Sequence, residues 1–145
     1  MKKEKFSIDI HAPREKVWKV LWDDETYRHW TSVFSAGSYA VSDWKEGSKI
    51  QFLSSDGNGM FSEIAKSRPP EFMSFRHLGV IKEGEEQHVD QETENWVGAL
   101  ENYELKQKNG QTELTVEMDV TEDFQKYFQE TFPKALEKVK ELSEK

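Results

Sequence analysis

Four histidines, at positions 11, 29, 77 and 88, are the side chains of this sequence best suited to ligating a metal or moving a proton near neutral pH. Their spacing offers no H-x-x-x-H pair on a helix, and there is no cysteine to join them. A metal centre is therefore not expected, nor a zinc-thiolate site, a disulfide framework or a cysteine nucleophile. No cofactor is implied either. None of the serines sits in a G-x-S-x-G elbow, so no nucleophile, base and orienter can be assigned. Gly57-x-Gly59 lacks the lysine and the following helix of a phosphate loop, and reads as a hairpin turn.

Two residues keep a chemical interest. His77 shares strand phase with Met73 and Phe75, which aims it at the inner face of a sheet. It is either a core histidine bonded to a neighbouring hydroxyl or backbone group, or a ligand contact. Glu101 falls in phase with Val97, Ala99, Tyr103 and Leu105. A carboxylate facing an apolar cavity is costly unless it is paired. Either a β-bulge near Leu100 turns Glu101 to water, or Glu101 and His77 form the polar pair of a pocket.

The elements that must position this pair follow from periodicity. Phe6, Ile8 and Ile10 alternate with polar residues and predict a first strand. Pro13 opens a helix whose inner face carries Val17, Val20 and Leu21, widened by Trp18 and Trp22, and a second short helix follows over 23–30. Strands are predicted at 39–41, 49–53, 60–66, 72–78, 96–107 and 112–120, with tight turns at Asp56-Gly57-Asn58-Gly59 and Asn109-Gly110. The last 24 residues form an amphipathic helix through Phe124, Phe128, Phe132, Ala135 and Val139, with a kink or break expected at Pro133. Residues 82–94 form a long acidic insertion, read as a solvated loop.

Composition sets the outer bounds. A chain of 145 residues is expected to form one domain over 1–145, and 12% aromatic residues argue against disorder. Twenty basic against twenty-eight acidic residues leave a net charge of −8, which makes a nucleic-acid partner a poor match. No run approaches the ~20 apolar residues of a membrane span, and the first residues lack a signal-peptide core. The expected setting is the cytoplasm.

Several local motifs carry a resemblance. Ala12-Pro13-Arg14-Glu15-Lys16-Val17-Trp18, running on to Trp30, resembles the A-P-x-x-x-V-W opening of the START-like helix-grip (SRPBCC) superfamily. Asp43-Trp44-Lys45-Glu46-Gly47 is similar to that group's W-x-x-G step, and the stretch 59–75, with Glu63 and Pro69-Pro70, to its G-x-x-x-E…P-P strand pair. Within the superfamily the chain resembles the branch of activator of heat-shock protein 90 ATPase homologue-like (AHSA-type) proteins. The resemblance implies an α+β helix-grip fold, with a curved antiparallel sheet of about six to seven strands around a long C-terminal helix. It also implies a cavity for a small hydrophobic molecule or lipid. Candidate lining residues are Phe52, Phe75, His77, Glu101, Tyr103 and Val116 on the sheet, with Phe128, Phe132 and Ala135 on the helix. Two other functions follow from the same resemblance: docking to a chaperone through the acidic segment 83–94, and, with less support, cyclase or hydrolase chemistry by the acid–base residues of the pocket.

Overall fold

The computed structural model describes residues 1–88, 94 and 96–145. The chain begins with β1 (Lys2–Ile10), whose even-numbered side chains point inward as their alternation requires. Two short helices follow, α1 (Arg14–Trp22) and α2 (Asp24–Thr31). Next come β2 (Tyr39–Val41), β3 (Lys49–Leu53), β4 (Gly59–Arg68), β5 (Phe72–Lys82), β6 (Glu85–Glu86), β7 (Leu100–Lys108) and β8 (Gln111–Val120). The long helix α3 (Glu122–Ser143) closes the chain.

The strands form one sheet in the order β1-β8-β7-β5-β4-β3-β2, every pairing antiparallel, with β6 added beside the end of β5. Asn109 and Gly110, both at positive φ (52° and 80°), make the two-residue turn that fixes the β7–β8 register. The α+β helix-grip architecture matches the sequence expectation, with three corrections. Strand β7 begins at Leu100, because Trp96, Val97 and Gly98 form a turn instead of a strand. The acidic insertion starts as a tight hairpin: Glu83 and Gly84, at φ 51° and 82°, let Glu85 and Glu86 pair back onto Lys82 and Ile81. Residues 89–93 of that insertion lie outside the described residues. Finally, α3 runs through Pro133 as one helix of 22 residues.

The sheet's inner face is filled from two directions. Helices α1 and α2 deliver Trp22 and Trp30 onto Phe75 and Tyr103, with Tyr27 packed behind Trp30, in edge-to-face ring pairs 5.0–6.5 Å apart. Trp44, which takes a left-handed φ of 62°, adds its ring to Trp22 and Phe75. Helix α3 lies along β1 and stacks Phe132 on Phe6 at 5.1 Å, while Ala135, Leu136 and Val139 complete the core. Among the described residues no helix is long and apolar enough to cross a membrane.

Candidate functional site

Two β-bulges shape the middle of the sheet. Phe61 pairs with Gly79 but Ser62 pairs with His77, so Leu78 on β5 has no partner. The extra residue reverses the phase of β5 beyond it, which brings His77 and Val80 to the same side. At the same place β7 parts from β5: regular pairing ends at Arg76 and Leu100, and His77 bonds instead to the turn, through Ala99 and Gly98. The inner face therefore opens near His77 into a cleft of about 920 Å³. Its wall includes His77, Val80, Trp96, Ala99, Glu101 and Met118 on the sheet side, with Phe124 and Phe128 opposite on α3. A second groove, of about 780 Å³, lies among turn residues of the β4–β5–β6 end, away from His77 and Glu101.

The expected lining residues divide between two places. His77, Glu101 and Phe128 line the cleft. Phe75, Tyr103, Val116, Phe132 and Ala135 are buried in the core beside it, and Phe52 packs on that core from β3. The reason is the bulk of Trp22, Trp30 and Trp44, which occupy the space that a bare curved sheet would leave in front of Phe75 and Tyr103. The cleft has its own aromatic lining instead, from Trp96 and Phe124.

Glu101 keeps regular register with Phe75 and Met118, so no bulge turns it outward at this position. It sits at the centre of a polar chain across three strands. Ser62 Oγ lies 2.7 Å from His77 Nδ1, and His77 Nε2 lies 3.1 Å from Glu101 Oε1. The Tyr103 hydroxyl donates to Glu101 Oε2. His77 is bonded to a neighbouring hydroxyl, as the first of its two sequence readings expects, and it also forms part of the cleft wall. Burial alone would raise the Glu101 carboxyl's pKa, but the His77 hydrogen bond, the charge His77 carries when protonated and the Tyr103 hydroxyl outweigh it. The net direction is below the ordinary 4.5, so Glu101 is a carboxylate at neutral pH. Burial first, and then the Glu101 charge, push the Tyr103 hydroxyl well above its ordinary range, which keeps it a donor.

Ser62 was not singled out by the sequence. Its signal is a polar residue in the inward phase of β4, two positions before buried Ile64. Ser62, His77 and Glu101 have the composition of a hydrolytic triad, but Ser62 is 0% exposed and sits behind the imidazole. A substrate carbonyl has no path to that hydroxyl. Among the described residues no three His, Asp or Glu side chains converge as a metal site needs.

Residues 11–144 match the family model AHSA1, described as activator of Hsp90 ATPase homolog 1-like protein. The chain belongs to the AHSA1 family. As an AHSA1-family chain it shares its fold with solved structures of low sequence identity. The Aha1 dimer from Colwellia psychrerythraea aligns over 99% of this chain and 97% of that one, at 20% identity and a TM-score of 0.76. A protein from Mesorhizobium loti aligns over 97% and 96%, at 15% identity and a TM-score of 0.75. DynU16, a putative protein of the dynemicin biosynthetic locus, aligns over 97% of this chain and 46% of its own, at 14% identity and a TM-score of 0.72. No curated protein sequence matches the chain.

Proposed function

We propose that this AHSA1-family chain binds a small amphipathic molecule in the cleft between the sheet and the start of α3. The observation that carries the reading is the cleft itself. Its volume of about 920 Å³ suits a small ligand, its walls hold Trp96, Met118, Phe124 and Phe128, and a polar pair, His77 and Glu101, converges on it. The proposal places the ligand's apolar body against those side chains and its polar end at Glu101. A cytoplasmic setting and the extent of the domain, 1–145, belong to the same proposal.

A second reading rests on the family model, which is named for an ATPase activator of a chaperone. Under it the acidic segment 83–94 would contact a basic surface of such a partner. In the described part of that segment Glu86 is already engaged, by Lys49 at 2.9 Å and Gln51 at 3.0 Å, which leaves the exposed Glu83, Glu85 and Glu94 as candidate contacts.

Native mass spectrometry of protein purified from cells, followed by titration of amphipathic compounds against melting temperature and tryptophan fluorescence, tests the first reading. A ligand held at a hundred times its dissociation constant should stabilise the fold by ~2.7 kcal/mol. A flat response across the panel, with clean apo protein that co-purifies with a chaperone, sinks the cleft reading in favour of the second.

A further inference from the structure

The hydrogen-bond arithmetic at Glu101 says what kind of polar end the cleft accepts. Ser62 is fully buried, and the one partner its hydroxyl has among the described residues is His77 Nδ1. A buried hydroxyl hydrogen must go to an acceptor, so with the ring neutral Ser62 donates to Nδ1 and Nε2 carries the proton. That N–H points at Glu101 Oε1, and the Tyr103 hydroxyl points at Oε2. Two donors, His77 and Tyr103, are thus directed at one carboxylate. An ionised carboxylate has about four acceptor sites, and two are filled here. The Glu101 side chain keeps 20% of its surface exposed and forms part of the cleft wall, so its remaining acceptor capacity faces the cleft.

The rim does not reverse this. The Met1 ammonium, Lys2 and Lys82 at the mouth are exposed, and so are Glu122 and Asp123 in the first turn of α3, charges of both signs in screening solvent. Glu122 and Asp123 also offset the positive end of the α3 dipole. Asp119 is paired with Lys3 at 3.0 Å and with the Leu100 N–H at 3.0 Å. The floor decides, and it offers acceptors. Trp96, Phe124 and Phe128 also line the cleft, and aromatic rings, unlike aliphatic walls, attract a cation placed over their faces.

Resting on the binding reading above, we infer that the ligand class is an amphipath with a protonated amine head, whose N–H groups take the two open acceptor sites of Glu101 while its apolar tail lies on Trp96, Phe124 and Phe128. A carboxylate head is disfavoured, because it brings a second negative charge beside Glu101, whose neighbours His77 and Tyr103 already direct their donors at that carboxylate.

The test uses three probes with one tail, decylamine, decanol and decanoate, each below its micelle concentration and titrated into the full chain by NMR. Decylamine should bind about tenfold or more tighter than decanoate, with decanol between, as a charge-assisted bond to a carboxylate implies. Glu101→Gln should close most of that gap, and the rim variant Glu122→Gln/Asp123→Asn should leave it intact. Should Glu101→Gln fail to fold, the order of the three probes on the unaltered protein still decides. Decanoate binding as tightly as decylamine, or a gap that vanishes in the rim variant, overturns the amine assignment and leaves the cleft as a binding site. If none of the probes binds, both the assignment and the binding reading fall.

Discussion

The inner face of the sheet has a solid end and an open end, and on each strand they are two residues apart. Phe75 belongs to the solid end and His77 to the open one, as do Tyr103 and Glu101 on β7, and Val116 and Met118 on β8. The strands are the same and so is their alternation. What differs is the cover. Over the solid end α1 and α2 press Trp22 and Trp30 onto the sheet, whereas the open end has the first turns of α3 across from it. A curved sheet provides concavity along its whole length, and helix placement decides which part of it becomes core. Polar residues follow that division: His77 and Glu101 stand where the cover stops, close enough to solvent for a charge to be kept.

The sharpest way to break the contrast is to hollow the solid end. Phe75 is buried against Trp22, Trp44, Phe52 and Tyr103, all large rings with little room to collapse. Phe75→Ala should cost ~3–5 kcal/mol in chemical denaturation, a large fraction of a domain's total stability. A loss under about 1 kcal/mol would mean that the two ends are equally loose.

A smaller effect comes from the floor of the open end. The Glu101 carboxyl titrates below its ordinary 4.5 in the folded chain and near that value once unfolded. Between the two, the unfolded state binds the extra proton, so stability rises with pH. The Glu101 contribution is therefore fully present above its unfolded pKa and is lost as pH falls through the folded one. Asp43, Asp56, Glu86, Asp119 and Glu144 shift in the same direction, so acid lowers the stability of the whole chain and the comparison must be made by difference. Urea denaturation from about pH 3 to 6 should show a shallower acid decline for Glu101→Gln than for the unaltered chain. Parallel curves would mean that Glu101 is not held in its charged form by His77 and Tyr103.

The sequence made the strands legible and left the boundary between the two ends obscure. Alternation of Phe6, Ile8 and Ile10, and of Leu114, Val116, Met118 and Val120, reports which side of a strand is apolar, and those strands form as read. It says nothing about how far along the strand a helix reaches. That is why Phe75 and Tyr103 read as cavity wall although the tryptophans of α1, α2 and the β2–β3 connection bury them, and why Val116 does although it lies in the same core. The pairing of His77 with Glu101 was legible as one of two alternatives, because phase brings them to one face and only the absence of a bulge at Leu100 decides between them. Strand β6 was not legible at all. Two glutamates carry no hydrophobic period, and their pairing depends on the left-handed turn at Glu83 and Gly84.

The smallest expected effect on stability separates the ends most cleanly. Phe124 is a large aromatic that leaves 55% of its surface exposed at the mouth of the cleft, where it neighbours Phe128 at 6.4 Å. A ring so poorly covered contributes little to folding, since the area it removes from water is small. Phe124→Ser should change stability by no more than about 0.5 kcal/mol. The same substitution removes an apolar wall from the cleft, so an amphipath that stabilises the unaltered chain should bind several-fold more weakly to the variant. Thermal melts with and without the compound measure both quantities on one sample. Equal ligand-induced shifts in the two proteins would place the binding site away from this mouth. A large loss of stability without ligand would show that the open end is core after all, and that the difference between the two ends is one of degree.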